Sequence, residues 1–266
     1  MGEKLIGPAL DAEYAGLVLP INRVDVEMPW GWLRRGWQDM ARVPQVSLTF
    51  GLGIAVISIL IIAGLWQQDY LAYSLPLASG FMFVAPFLGI AFYEISRRLE
   101  MGAPIRFHDI AIAWAKRPGR IFTLGLIMML FHIVWIRIAM LIYALFFGPQ
   151  PVEWSNFVLT LVTTTDGLIF LIIGSAIGGV LAALCFAIGV VSFPLLLDRD
   201  IGTAQAVATS IAVSIANWRV LFGWAALIVL FTGAGLITGC LGLIVTMPLI
   251  GHASWHAYRD LVGEGT

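Results

Sequence analysis

The stretch VSLTFGLGIAVISILIIAGLW, residues 46–66, decides the class of fold. It contains no charged side chain. The hydrocarbon core of a bilayer is about 30 Å thick, and an α-helix rises about 1.5 Å per residue, so roughly 20 apolar residues cross it. The stretch therefore predicts a transmembrane helix.

The same signal recurs along the chain. Of the 266 residues, 60% are hydrophobic and 12% are charged, whereas soluble domains carry about 25% charged residues. We predict an all-α, polytopic membrane protein with six transmembrane helices. The predicted spans are residues 46–66, 71–95, 121–147, 167–197 and two segments that divide residues 220–260 near residues 235–239.

The positive charges predict the orientation. All but one of the 15 Lys and Arg residues lie before the first span, between the second and third, between the fourth and fifth, or after the sixth. Because Lys and Arg are enriched in the cytoplasmic loops of membrane proteins, we expect both termini to lie in the cytoplasm. Residues 1–28 would form a cytoplasmic tail before a transmembrane domain over residues 29–262.

The ends of the even-numbered spans resemble one another. PFLGIAFYEISRRLEMG (86–102) aligns without gaps to PLIGHASWHAYRDLVGE (248–264), and AIGVVSFPLLLDRDIG (187–202) is a weaker third copy. Before each predicted hairpin, apolar residues spaced three and four apart indicate an amphipathic helix lying at the cytoplasmic interface. We therefore predict a pseudo-threefold repeat of three hairpins, each with its interfacial helix, in units 29–102, 103–199 and 200–262.

Each interfacial helix is expected to turn its apolar stripe toward the membrane. The predicted stripes are Trp30, Leu33, Trp37 and Met40 in the first unit, Phe107, Ile110 and Trp114 in the second, and Ile201, Ala204, Ala208, Ile211, Ile215 and Trp218 in the third. In the first helix, Arg34, Arg35, Gln38 and Asp39 should then face water.

Two histidines four residues apart, His252 and His256, lie on one helix face, as a metal or haem pair would. A metal would need a further ligand, for which Glu94, His108, Asp109, Asp198 and Asp200 lie at a suitable depth, while His132 lies too deep for a haem pair. The alternative is that both rings bond to backbone or lipid phosphate, and we expect no metal and no cofactor. We predict a polar cluster at the cytoplasmic face, formed by Glu94, Arg97, Asp198, Arg199, His252, His256, Arg259 and Asp260.

Arg137 is the one basic residue inside a predicted span. An arginine at this depth is costly unless it is paired or extends to the headgroups. Asp166 is the expected partner, with Glu153 as the alternative, and a role in substrate binding would follow from a buried pair. Gly174 and Gly178 form a GxxxG pattern, from which we expect close packing inside the bundle.

Several classes of function lack their sequence signature. The chain contains no P-loop, GxSxG, HExxH or dinucleotide fingerprint. The segments outside the predicted spans are too short for a soluble catalytic domain. Cys185 and Cys240 lie in apolar runs without a CxxC motif, so a zinc or iron–sulfur site is not indicated. We predict that the chain is not an enzyme, contacts the lipid bilayer and possible membrane-protein partners, and does not bind nucleic acid.

Several motifs resemble one known family. They are WLRRGWQDMARVPQVSLTFG, FYEISRRLEMG, FPLLLDRDIGTAQAVATSIAVSIANW and GHASWHAYRDLV. They are similar to an uncharacterised family of bacterial integral membrane proteins, number 2189 in the domain-of-unknown-function series, over roughly residues 30–262. Some members are labelled as cytochrome c oxidase subunits. The resemblance implies a bacterial inner-membrane location, and that label implies haem ligands, of which this sequence lacks a convincing set.

Three hypotheses of function follow. The first is a non-enzymatic accessory or assembly factor of a membrane complex, or a protein that organises lipid, because tryptophan-rich interfacial helices accompany few buried polar groups. The second is a transporter or channel for a small or lipidic substrate. The repeat architecture, Arg137 and the proline-kinked spans support this hypothesis. The third is a redox subunit that resembles those of cytochrome oxidase.

Overall fold

The computed structural model describes residues 16–67, 85–115, 118–148 and 154–263. Within these ranges the chain is helical, and an isolated antiparallel bridge joins Ile21 to Val262. The helices are α1 (Met28–Arg42), α2 (Pro44–Gln67), α3 (Ile90–Glu100), α4 (Phe107–Ala111), α5 (Pro118–Phe147), α6 (Trp154–Thr163), α7 (Thr165–Gly189), α8 (Ser192–Asp198), α9 (Thr203–Ala216), α10 (Trp218–Ile237) and α11 (Leu243–Leu261).

Four helical segments in the described ranges are long and apolar enough to cross a membrane. They are Pro44–Gln67, Pro118–Phe147, Thr165–Asp198, which joins α7 to α8, and Trp218–Ile237. They coincide with the first, third, fourth and fifth predicted spans, so a long apolar helix is confirmed at each of these four positions. The chain is therefore all-helical and carries several candidate membrane spans.

The second and sixth predicted spans are not among these four apolar helices. Residues 71–84 of the second span lie outside the described residues. The sixth span corresponds to α11, a 19-residue helix that is not among the four apolar candidates. The predicted break before it does occur, because α10 ends at Ile237 and α11 begins at Leu243. The count of six spans, the hairpins and the threefold repeat remain predictions.

Helix α11 is the element around which the others pack. It contacts α1, α2, α3, α8 and α10, and nearly every side chain from Met247 to Ala257 is buried. Two glycines allow neighbouring backbones to come close to it. An added Cβ at Gly36 of α1 would lie 2.7 Å from the backbone nitrogen of Ala253, and one at Gly51 of α2 would meet the carbonyl group of Ile244.

The two ends of the described helices are held together differently. At one end a hydrophobic core surrounds Trp32, Trp224 and Tyr258, and the rings of Trp32 and Trp224 pack edge to face at 5.5 Å. At the other end, α5, α6 and α7 meet in an aromatic cluster that includes Tyr143 and Phe170. We call the end that contains Trp32 and the C-terminus of α11 the polar end, because the charged side chains described below gather there.

Residues 19–24 tie the chain before α1 to the polar end. The backbone nitrogen of Asn22 donates to the carbonyl oxygen of Leu261 at 2.9 Å. The side chain of Asn217, at the joint between α9 and α10, accepts from the backbone nitrogen of Val24 and donates to the carbonyl oxygen of Asn22. This segment therefore connects α9, α10 and α11.

The interfacial helices follow the predicted stripes only in part. Trp30 and Trp37 are exposed on the surface of the chain, as the stripe requires, but Leu33 and Met40 are buried against protein. The expectation that Asp39 faces water was wrong, because this residue is 5% exposed. In α9 the predicted stripe does face outward at Ile211 and Ile215, while the side chain of Trp114 lies outside the described residues.

Candidate functional site

A buried chain of hydrogen bonds runs through the polar end. His252 of α11 lies between two serines, with Nε2 3.0 Å from Ser47 Oγ of α2 and Nδ1 2.8 Å from Ser96 Oγ of α3. Ser96 Oγ donates to Asp39 Oδ2 of α1 at 2.7 Å. The same carboxylate oxygen lies 2.8 Å from His256 Nε2. One polar network thus links α1, α2, α3 and α11.

The donors in this network have one consistent arrangement when His252 is neutral. Ser96 has a single hydroxyl hydrogen and gives it to Asp39, so its oxygen accepts from Nδ1–H of His252. Nε2 of His252 then accepts from the hydroxyl of Ser47. In this arrangement each hydroxyl and ring nitrogen of the network has a partner, as buried polar groups must have to avoid a large cost.

The carboxylate of Asp39 is the charged centre of the network. Burial raises its pKa, but hydrogen bonds from His256 and Ser96 outweigh that effect and hold the pKa below the usual value of 3.8. Arg42 lies farther away, 3.8 Å from the other carboxylate oxygen. Asp39 is therefore held ionised by neighbours on two other helices.

The two predicted metal-ligand candidates are directed elsewhere. His252 is 0% exposed and is bonded to two serines, and His256 is bonded to Asp39. Among the residues that the structure describes, no group of three or more His, Cys, Asp or Glu side chains is arranged to hold a metal ion. The expectation that the chain binds no cofactor stays a prediction.

A second charged group surrounds Glu94 of α3, whose side chain is fully buried. Arg97 Nε donates to it at 2.9 Å and Arg98 Nε at 2.7 Å. Arg98 also reaches Asp109 of α4 at 3.0 Å. Two arginines therefore compensate one buried carboxylate and fasten α4 to the end of α3.

A third group lies at the C-terminus of α11. Arg259 Nε donates to Glu100 at 3.0 Å, and the hydroxyl of Tyr258 donates to Asp198 at 2.7 Å. Asp260 accepts from Trp32 Nε1 at 2.8 Å and forms an ion pair with Arg35.

All eight residues of the predicted polar cluster lie at the polar end. Arg199, the eighth, donates to the carbonyl oxygen of Gly263 at 2.7 Å. The hydrogen bond that Arg97 donates to Glu94 does most to raise the pKa of Arg97, and the charge of Asp198 raises it further. At Arg259 burial lowers the pKa, but the charges of Glu100 and Asp198 outweigh it and raise the pKa. The contacts bring these residues together at one end of the helices, and the location of that end at the cytoplasmic face stays a prediction.

A cavity of about 410 Å³ opens at this layer, between α1, α3 and α11. Three arginines and three carboxylates line it: Arg35, Arg42, Arg259, Asp39, Glu100 and Asp260. Ser96 and His256 complete the wall. The volume of this cavity lies within the range typical of small-ligand sites, about 300–1,000 Å³.

Sequence reasoning missed several residues of this site. Asp39 was assigned to water, and Ser47, Ser96 and Glu100 were not singled out. One local signal was available: Trp32, Leu33, Gly36 and Met40 share spacings of three and four, which predicts a second possible buried face on α1. Asp39 borders that face. Ser47 and Ser96 carry no comparable signal.

The predicted pair of Arg137 and Asp166 does not form. Both residues are exposed, and among the described residues no ion pair joins them. Asp166 instead lies in the first turn of α7, beside the Thr164 side chain that accepts from the backbone nitrogen of Gly167. A carboxylate there complements the helix dipole. Glu153, the alternative partner, lies outside the described residues.

The expected packing at the GxxxG pattern is also wrong in its first half. An added Cβ at Gly174 would meet no atom within 4 Å, and one at Gly178 would lie 3.4 Å from Trp135 Nε1. Gly178 therefore borders α5, whereas Gly174 faces open space.

Comparison with known families agrees with the apolar helices. Residues 74–198 match a family model described as "Predicted integral membrane protein (DUF2189)". The chain is a multi-pass integral membrane protein. The resemblance seen in the sequence motifs is confirmed for residues 74–198, the part of the chain that includes helices α3 to α8. No curated protein matches it, and no solved structure does.

Proposed function

We propose that this integral membrane protein spans the bacterial inner membrane six times, with both termini in the cytoplasm, and organises lipid without catalysing a reaction. The observation that carries the proposal is the outer surface of the short helices around the polar end. Trp30 and Trp37 of α1, Phe107 of α4 and Ile215 of α9 are each more than half exposed. Trp and other apolar side chains exposed beside charged groups are typical of the headgroup level of a bilayer.

The burial of the reactive groups supports a non-enzymatic role. His252 is 0% exposed, so the histidine that contacts both serines of the network offers no access to a substrate. Glu94 is equally buried and is compensated by two arginines. The polar groups serve to join helices at a level where the tryptophans contact lipid.

The contacts among the helix ends support the repeat. Helices α3, α8 and α11, which contain the three similar sequence segments, each pack against the other two. Gly251 of α11 lies against the ring of Phe92 of α3. Three equivalent segments around one axis would make such mutual contacts. A reporter fused after residue 263 is expected to be active only in a cytoplasmic form, and an external reporter signal would contradict the six-span topology.

The alternatives have less support. Transport rested on Arg137 as a buried charge, and its side chain faces outward. A redox role rested on the two histidines, which bond to serines and to Asp39.

Lipid organisation is tested with spin-labelled phospholipid in proteoliposomes. We expect the wild-type protein to immobilise a fraction of the lipid, and the Trp30→Ala, Trp37→Ala double variant to immobilise clearly less. Trp66→Ala is the matched control, because Trp66 is 72% exposed and lies at the opposite end of α2. If the double variant and the control behave alike, the interfacial tryptophans of α1 do not organise lipid.

A further inference from the structure

The cavity at the polar end has an imbalance between its hydrogen-bond donors and acceptors. Its three carboxylates already accept from protein donors. Asp39 accepts from Ser96 and His256, and Asp260 accepts from Trp32 and Arg35. Glu100 accepts from Trp255 Nε1 at 3.1 Å and from Arg259 at 3.0 Å. Each of the three carboxylates therefore already has two protein donors.

The arginine donors that line the cavity have fewer hydrogen-bond partners in the protein, and Arg42 is the main example. Arg42 is the last residue of α1, and its side chain is 66% exposed. It forms an ion-pair contact with Asp39, in which Nη1 lies 3.8 Å from Oδ1. That distance exceeds a hydrogen bond. A guanidinium group carries five N–H donors in a rigid fork, so Arg42 presents donors to the cavity. Arg35 lies about two helical turns earlier on α1, and its side chain is 36% exposed.

A ligand that fits this wall must bring acceptors and negative charge. A cation would compete with arginines for carboxylates that are already bonded. A tetrahedral oxyanion supplies several acceptor oxygens, and arginine binds phosphate through two parallel hydrogen bonds. The carboxylates Asp39 and Asp260 then hold the cationic side chains in place from behind.

We propose that this cavity binds a phosphate group, with Arg42 as the principal donor. Two sources share that chemistry, the headgroup of an anionic phospholipid and a soluble phosphate. The proposal is independent of lipid organisation by the tryptophans of α1, because the lining of the cavity includes neither Trp30 nor Trp37.

The experiment uses the full-length protein in a maltoside detergent, which carries no phosphate. In one arm, inorganic phosphate is added against chloride at constant ionic strength, and in the other, phosphatidylglycerol is added to the micelles. The measured quantity is the rise in unfolding temperature, from which an apparent dissociation constant follows by linkage. We expect a saturable rise for the wild-type protein in at least one arm, and that arm identifies the source.

Three variants make the result specific. Arg42→Gln is expected to weaken binding about tenfold, since a hydrogen bond to a charged group contributes about 1.5 kcal/mol or more. Arg42→Lys keeps the charge without the fork and should weaken it less. Arg34→Gln, an exposed arginine of the same helix outside the cavity lining, should bind like the wild-type protein.

Two outcomes would overturn the proposal. One is the absence of a rise for the wild-type protein in both arms. The other is an equal effect of Arg42→Gln and Arg34→Gln, which would indicate general surface electrostatics. Because Arg42 is largely exposed, its replacement should leave the unfolding temperature without ligand close to that of the wild-type protein, and Arg42→Lys provides the comparison should it not.

Discussion

Replacing Gly36 by alanine should separate α1 from α11. An added Cβ at this position lies 2.7 Å from Ala253 N, 2.9 Å from Leu249 O and 3.0 Å from Ala253 Cα, all of them backbone atoms. Ordinary contact begins at 3.4 Å, so the shortfall is 3.4 − 2.7 = 0.7 Å. No side-chain rotation can relieve it, because the obstacle is the main chain of the neighbouring helix.

The expected cost has two parts and one offset. Overpacking of this kind costs about 1–3 kcal/mol. If the 0.7 Å displacement ran along the bond between His256 and Asp39, it would lengthen that bond from 2.8 Å to 3.5 Å, the limit of a hydrogen bond. A bond to a charged group contributes about 1.5–3 kcal/mol. Alanine favours the helix by about 1 kcal/mol over glycine. We expect a net loss of about 1.5–5 kcal/mol in the free energy of unfolding.

Gly31→Ala is the matched control, because it lies on the same helix and an added Cβ there meets no atom within 4 Å. It should be neutral or slightly stabilising. Both variants are unfolded by denaturant in maltoside micelles and followed by tryptophan fluorescence, to which the buried Trp32 contributes. If Gly36→Ala is as stable as Gly31→Ala, then α1 and α11 do not approach each other as described.

Three further predictions concern individual side chains, each measured by the same unfolding titration. Asp39→Ala should cost about 3 kcal/mol, because Ser96 and His256 both lose their acceptor; a change below about 1 kcal/mol would argue against the network. Because the folded-state pKa of Asp39 lies below 3.8, its contribution is complete above that pH and is lost as the pH falls below it, and Asp39→Asn should flatten this dependence. Arg137→Gln should change stability by less than about 0.5 kcal/mol, since the Arg137 side chain is exposed and surface substitutions usually cost little; a large loss would indicate a buried role.

The apolar helices could be predicted from the sequence because their signal is local. A run such as residues 46–66 needs no knowledge of its neighbours, since length and the absence of charge suffice. Helix α11 is different. Its histidines, Arg259 and Asp260 are compensated by residues 156–228 positions away in the chain, so its polarity alone does not reveal how deeply it is buried.

The orientation of α1 shows a second limit. Trp30 and Trp37 face out of the chain, and Trp32 and Leu33 face into it. All four are hydrophobic, and lipid tails are as apolar as a protein core, so composition does not distinguish the two surroundings. The sequence analysis placed Asp39 in water because its partners Ser96 and His256 lie on other helices, and no local sequence pattern indicates them.

The central position of α11 has a consequence for synthesis. The ribosome makes α1, α2 and α3 well before α11, so Ser47, Ser96 and Asp39 enter the membrane surface without the histidines that join them. Until translation reaches residue 256, Ser47 and Asp39 lack the imidazole partners that they have in the finished protein. A truncated chain that ends before residue 252 therefore lacks the side-chain bonds by which α11 joins α1 and α2.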